Sequence, residues 1–328
     1  MALGAKYSSI TAKKIKYTID TIWAIDNDTE ACKTFKRNVA YQKSIITKWP
    51  IEEVYKNKKL IINDDIAKID DFSNLPDIDI LSFGFPCNDY SLIGKRKGIA
   101  GKYGGLYKYG VDAINAKNPK FFVAENVSGL ASWSGSTFAV ILDELKTAGN
   151  GYTLTVNNYK LEKYGVPQTR HRIIIVGFRN DLDKEFLTPK ETHPKRFVYA
   201  KEAIEKGLVY GEGKINGAKN HNVDIIKKRL SKTVRKRLYH TKNGQNAWNA
   251  DLPDDVKLNV KKATFSSIYK KLKPNKPAYT VTGSGGGGTH MYYWAKNKKD
   301  QRALTNRERA RLQTFPDKFE FIGNSTDV

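Results

Sequence analysis

Residues 79–91 read Asp-Ile-Leu-Ser-Phe-Gly-Phe-Pro-Cys-Asn-Asp-Tyr-Ser, and this stretch decides the fold. An apolar strand over Ile78–Phe83 runs into Gly84 and Pro86, which break it, and Cys87 sits at the break. In open α/β sheets, reacting groups gather just beyond the carboxyl ends of strands. A thiol in that position is a nucleophile candidate, whereas a thiol inside a strand is usually a small core hydrophobe.

The same design recurs downstream. Residues 119–127 read Pro-Lys-Phe-Phe-Val-Ala-Glu-Asn-Val, a strand that runs into polar residues. Residues 165–177 read Gly-Val-Pro-Gln-Thr-Arg-His-Arg-Ile-Ile-Ile-Val-Gly, with polar residues leading into a strand. A thiol, a carboxylate and an arginine therefore stand at the ends of three predicted strands. Alternating strands and helices elsewhere predict a doubly wound α/β sheet. Strands are expected over 18–26, 60–63, 121–124, 152–159 and 172–178, with a helix after the first, capped by Asn27 or Asp28. A further helix carries Phe138, Ile141, Leu142 and Leu145 and is stopped by Gly149–Gly151.

Near residue 180 the pattern changes. Residues 181–275 are lysine-rich and weakly periodic, with candidate helices at 200–206 and 223–238. A helix is expected over 305–314, capped by Thr305 or Asn306. Over its 328 residues the chain carries 57 Lys and Arg against 34 Asp and Glu, a formal net charge of +23. Such a balance favours polyanions through counterion release. Two cysteines, Cys32 and Cys87, make neither a disulfide framework nor a metal cluster. No apolar run is long enough to span a bilayer and no leader is visible, so a cytoplasmic protein is expected.

The ordered motifs resemble the cytosine-5 DNA methyltransferase family. Gly84-Phe85-Pro86-Cys87 matches its nucleophile loop, Glu125-Asn126-Val127 its Glu-Asn-Val, and Gln168-Thr169-Arg170-His171-Arg172 its Gln-x-Arg-x-Arg. Residues 307–316 match its late Arg-Glu-x-Ala-Arg-Leu-Gln-x-Phe-Pro element. Asn88 stands where Gln is commoner. The resemblance implies a Rossmann-like methyltransferase sheet in a catalytic domain at 1–180. It also implies a smaller target-recognition domain at 181–275 and a return segment at 276–328. S-adenosylmethionine is the implied cofactor and double-stranded DNA the implied partner, with the chain a monomer on it, in a prokaryotic modification system.

By the same resemblance Cys87 is the nucleophile, Glu125 and Arg172 hold the target ring, and Arg170 is their neighbour. Asp26, Asp65, Ile66 and Pro86 are the expected cofactor contacts. Ser91, Lys95, Arg96, Lys97 and Gln168 are the expected DNA contacts. The family's opening strand and Phe-x-Gly-x-Gly loop have no counterpart before Met1-Ala2-Leu3-Gly4. Ile322-Gly323-Asn324-Ser325 only looks like its closing element. A first strand missing from the sheet is therefore expected, with the chain either truncated at both ends or one piece of a split enzyme whose complementary fragment supplies the missing termini, and residues 1–328 alone are expected to bind cofactor poorly and methylate little. An RNA methyltransferase on the same core and a non-enzymatic nucleic-acid-binding module are the competing readings. A cysteine hydrolase is the weakest, because only His171 lies near a catalytic motif.

Overall fold

The computed structural model describes residues 9–12, 15–40, 44–55, 58–85, 105–130, 136–205, 230–259, 268–283 and 291–323. The chain divides into two compact units, residues 1–159 with 171–190, and residues 160–170 with 191–328.

The first unit opens with an antiparallel hairpin of β1 (Ser9–Ala12) and β2 (Ile15–Thr18). Then come β3 (Trp23–Ile25), helix α1 (Thr29–Phe35), β4 (Ser44–Thr47) and β5 (Lys59–Ile62). β3 and β4 both pair with β5 in parallel, so that Ile25 and Thr47 each lie opposite Ile62. The Ile-rich composition of these strands suits a pleated surface covered by apolar neighbours. The expected strand over 18–26 is thus shorter than its apolar content suggested, because Ile19–Ile22 leave regular pairing between β2 and β3. Asp28 caps α1 as expected, accepting from Ala31 N at 2.8 Å.

A second sheet holds β6 (Ile80–Gly84), β7 (Phe121–Val127), β8 (Tyr152–Lys160) and β10 (His171–Arg179) in the order β6-β7-β10-β8. The short β9 (Gln168–Thr169) belongs to the second unit. β6 runs parallel to β7, and β10 antiparallel to it. Along β7 the residues Phe122, Ala124 and Asn126 are buried and their neighbours half-buried, the period of two that a strand imposes. One core serves both sheets: Leu60 and Ile62 of the first pack in the same cluster as Leu81, Phe122 and Ile173 of the second. Each such buried side chain contributes roughly 1.5–3 kcal/mol. Among the described residues, the outer edges of β3 and β6 have no strand partner, so the expected single sheet stands as two.

Helices α2 (Tyr107–Lys117) and α3 (Ser136–Thr147) cover this core. Gly110 lets α2 close onto β6, since a Cβ there would lie 2.3 Å from the Phe83 ring. Gly149 and Gly151, at φ +53° and +82°, follow α3 as the sequence predicts.

The second unit contains β9, α4 (Ala200–Ile204), α5 (Lys232–His240), β11 (Ala278–Tyr279) and α6 (Asn306–Leu312). β9 and β11 pair in parallel, Gln168 opposite Ala278. A core of Ala203, Ile204, Leu272, Met291, Trp294 and Leu312 joins α4 and α6 to the segment around Met291. The helix expected over 223–238 is corrected in its described part. It starts at Lys232, where Ser231 Oγ accepts from Val234 N at 3.2 Å and sets the boundary; residues 223–229 lie outside the described residues.

Lys271 is buried in this unit. Its ammonium donates to Leu238 O at 3.3 Å and Ala295 O at 3.1 Å, and no carboxylate among the described residues pairs with it. Burial pushes its pKa from the ordinary 10.5 down to about 8. Between those values the unfolded chain holds a proton that the folded chain has released, so stability rises with pH across that window. Below about 8 both states are protonated and the penalty for burying the charge is fully present. Lys271→Met is expected to flatten this rise, read from urea unfolding at pH 7 and pH 9.5. An unchanged difference between the two pH values would remove Lys271 as its source.

Candidate active site

Strand register builds the site. Gly84, at the end of β6, lies opposite Glu125 of β7, and Glu125 lies opposite Ile174 of β10. Arg172 is two residues before Ile174 on β10 and so shares its face. Arg172 Nε meets Glu125 Oε1 at 2.6 Å, and Arg172 Nη1 donates to His171 O at 2.8 Å. Glu125 Oε2 looks toward Gly84, where a Cβ would stand 3.6 Å from it. The Glu125 side chain keeps 31% of its surface and Arg172 keeps 15%. The pair is therefore open enough for a ligand edge and closed enough to be held. Among the described residues, neither Glu125 Oε2 nor Arg172 Nη2 has a hydrogen-bond partner. An acceptor and a donor therefore stand side by side.

The sequence places Phe85, Pro86 and Cys87 directly after β6. Pro86 and Cys87 lie outside the described residues, as do Ser91, Lys95, Arg96 and Lys97. Phe85 is fixed from two sides. Its ring packs 6.1 Å from that of Tyr107, and its carbonyl accepts from Asn126 Nδ2 at 3.2 Å. Asn126 is buried, and its Oδ1 also accepts from Val127 N at 2.7 Å. This amide, inside the Glu-Asn-Val motif but given no role by the sequence reading, ties the exit of β6 to β7. An amide side chain directly after a candidate carboxylate at a strand end was the available signal. Asn126→Ala leaves the Phe85 carbonyl without this donor and is expected to lower stability by about 1–3 kcal/mol. Urea unfolding measures this; a loss below about 0.5 kcal/mol would deny Asn126 its role in tying the exit of β6 to β7.

The other cysteine, Cys32, lies within the described residues. Cys32 is buried in α1, its Sγ donates to Asp26 O at 3.4 Å, and burial, reinforced by the charge of Asp26, pushes its thiol up to about 11. A thiol held in this way is inert, since the thiolate is the reactive form.

Asp26 and Asp65 follow β3 and β5, adjacent parallel strands. Asp26 N donates to Ile62 O at 3.0 Å, which brings the two strand ends together. Each carboxylate spends one oxygen on a local cap: Asp26 Oδ1 accepts from Asp28 N at 2.8 Å and Asp65 Oδ1 from Ala67 N at 3.0 Å. Both side chains are exposed, and Ile66 beside Asp65 is half-buried. Two acceptors and an apolar side chain at neighbouring strand ends fit the hydroxyl and amino donors of a nucleoside.

Two expected residues lie in the second unit. Arg170 Nη1 donates to Val281 O at 3.3 Å. Gln168 requires a correction. It is buried, its Nε2 donates to Leu312 O at 2.9 Å, and its Oε1 accepts from Val281 N at 3.0 Å. Both ends of the amide are taken by backbone, so Gln168 ties β9 to α6 and to the segment that follows β11, and it has no surface left for a DNA contact.

A Pro-Cys sequence following one strand, a Glu–Arg pair on the next two and acidic residues at neighbouring strand ends form a candidate catalytic centre on an α/β sheet. The chain belongs to the C-5 cytosine-specific DNA methylase family, whose model matches residues 3–328. It is 44% identical to the type II methyltransferase M.BbvI of Brevibacillus brevis over 100% of this chain and 82% of that protein. It is 36% identical to the type II methyltransferase M.NgoFVII of Neisseria gonorrhoeae over 94% of this chain and 75% of that one. In fold it is similar to a DNA modification methyltransferase encoded within an Escherichia coli prophage (TM-score 0.56, 19% identity, 92% of this chain and 90% of that one). The Entamoeba histolytica methyltransferase EhMeth is similar as well (TM-score 0.55, 14% identity, 99% and 88%).

Proposed function

We propose that the chain methylates carbon 5 of cytosine in duplex DNA, with Cys87 as nucleophile. The observation that carries this is the Glu125–Arg172 pair, 2.6 Å apart, with Glu125 Oε2 and Arg172 Nη2 free for a ligand among the described residues. A proton-sharing oxygen beside a guanidinium N–H complements the ring nitrogen 3 and exocyclic oxygen of cytosine. The pair lies one strand from the β6 exit that leads to Cys87.

Carbon 5 of cytosine is a poor nucleophile. Cys87 Sγ, as thiolate, adds to carbon 6 and turns carbon 5 into an enamine-like centre, which divides one hard step into easier ones. Glu125 shares a proton with ring nitrogen 3 as negative charge builds there. Arg172 holds the exocyclic oxygen and keeps Glu125 in register, with Arg170 as the neighbouring cation. The carbon 5 proton then passes to solvent water, its C–H electron pair re-forms the ring double bond, and Cys87 Sγ leaves as thiolate. S-adenosylmethionine, the donor this family uses, supplies when bound an electrophilic methyl on a sulfonium. Asp26 would hold its ribose hydroxyls, Asp65 and Ile66 its adenine edge, and Pro86 would line the same pocket.

The target carbon is inside a stacked duplex, so the base must be flipped out. Ser91, Lys95, Arg96 and Lys97, in the segment after Cys87, would meet phosphates during this step. We take the chain to act as a monomer on DNA in a prokaryotic cytoplasm. Among the described residues no helix is long and apolar enough to cross a membrane. The test is methyl transfer from labelled S-adenosylmethionine to duplex DNA and to transfer RNA, side by side, with 5-fluorocytosine duplex as a trap. Duplex labelling and a covalent adduct that disappears in Cys87→Ala are expected. Labelling of transfer RNA alone would replace this reading with the RNA enzyme.

A further inference from the structure

The second unit carries a basic cleft that the chemistry above does not use. It has a volume of about 390 Å³ and lies between α5, the turn at Asp254–Val256 and the turn at Lys298–Asp300. Five cations line it, Lys232, Arg235, Lys236, Lys298 and Lys299, against one carboxylate, Asp255. That carboxylate is already spent, since both its oxygens accept from Lys236 Nζ, at 2.7 and 2.8 Å. The remaining four cations have no acidic partner among the described residues. Lys232, Lys298 and Lys299 are exposed and Arg235 is half-buried.

Four like charges around one small cleft repel one another, and an anion between them relieves that repulsion. A cleft walled by one sign of charge also concentrates counter-ions. The geometry points to a phosphodiester of the DNA backbone as the occupant, gripped at a point separate from the ring-binding residues. A duplex is the polyanion that matches this density, with a charge about every 1.7 Å along its axis. Arg235 offers a planar fork that can take two phosphate oxygens, and the three lysines act as mobile point charges around it. This inference rests on the DNA reading of the active site and adds a specific anchor to it. The grip is blind to sequence, because phosphates position a protein on DNA and do not specify it.

The experiment compares the full chain with K298Q/K299Q and K232Q/R235Q. Lys236 is left alone because it braces Asp255. Duplex affinity is measured by fluorescence anisotropy from low to moderate salt, and initial methylation rates are measured on the same duplexes. Each lost phosphate contact should lower the slope of log affinity against log salt by about 0.9. Each double variant should therefore lose a slope of about 1–2, with the same fractional loss of affinity on unrelated duplexes. KM for DNA should rise while kcat at saturating DNA stays within about twofold, since uniform binding alone has been removed. K298R/K299R should keep the wild-type slope. Scanning a single neutral methylphosphonate linkage along the duplex should reveal positions that weaken the wild type and leave the variants indifferent. Unchanged slopes in both double variants, or a methylphosphonate scan identical for all proteins, overturns the anchor. A preference of the cleft for acidic peptide over DNA, seen as competition lost in the variants, overturns it as well. If the wild type methylates no duplex at all, it is the active-site reading that fails, and that outcome is distinct from these.

Discussion

Glu125→Gln is expected to lower turnover by about 10²–10⁴-fold, the range for losing a positioned proton-transfer group, while duplex affinity is nearly unchanged. The substitution keeps the size and the hydrogen-bonding edge of the side chain. What it loses is the ability to share a proton with ring nitrogen 3 and the charge that Arg172 Nε meets at 2.6 Å. A partly exposed ion pair with no catalytic duty is usually worth no more than about 1 kcal/mol. If Glu125 and Arg172 were only a brace at the strand ends, Glu125→Gln would cost a few-fold in turnover at most. The two accounts therefore differ by orders of magnitude. Single-turnover rates, with duplex Kd measured separately, decide between them. The rate of adduct formation with 5-fluorocytosine duplex should fall alongside turnover, because the proposed role of Glu125 is to assist attack on carbon 6. Retained adduct formation with lost methylation would move Glu125 to a later step. Arg172→Lys should show a smaller loss of the same kind, since one ammonium cannot keep Glu125 and a ligand oxygen together.

Some of this was legible in the sequence for a physical reason. Polar residues that end an apolar strand are costly in a core, so Glu125 and Arg172 stand out against Phe121–Ala124 and Ile173–Val176. The caps Asp28 and Thr305, and the glycine stop after α3, are local chemistry and are readable from a few residues. Register and burial were not readable. Gln168 and Arg170 flank the same threonine, yet the Gln168 amide is buried and both its ends are spent on backbone from parts of the chain more than 110 residues away. The sequence spacing carries no trace of that. Asn126 was passed over because a motif names residues without saying which partner each one meets. The short β4 was missed because four residues, Ser-Ile-Ile-Thr, show too little alternation to register as a strand. Ser231 ends the expected long basic helix because its hydroxyl turns back to Val234 N, a capping role that competed unseen with the run of helix formers.

The second large effect is expected in α6, away from the reacting groups. Glu308→Ala should destabilise the second unit by about 3–5 kcal/mol, the cost of stranding one member of a buried ion pair. Glu308 is fully buried. Its two oxygens meet Arg302 Nη1 and Nη2 at 2.7 and 2.8 Å, and Oε2 also accepts from Thr305 N at 2.8 Å. Glu308 N donates in return to Thr305 Oγ1 at 3.1 Å, which closes a capping box. Alanine therefore removes the half of the box that the Glu308 carboxylate supplies to Thr305 N, and leaves the Arg302 guanidinium held over the Tyr293 ring with no counter-charge. The next turn of α6 depends on a similar fork. Arg311 Nε and Nη2 meet both oxygens of Asp317 at 2.7 Å, and Nη1 reaches Ile204 O at 3.0 Å. Arg311→Lys should cost less than Glu308→Ala but more than a surface exchange, because one ammonium cannot make three directed bonds. The consequence reaches β9, since Leu312 of α6 supplies the carbonyl that holds Gln168. Urea unfolding of the single variants and of Arg302→Met/Glu308→Leu tests the account. The double variant should recover part of the loss, as apolar replacement of both partners removes the stranded charge. A loss below about 1 kcal/mol in Glu308→Ala, or no recovery in the double variant, would mean that packing alone holds α6 and that the ionic network is incidental.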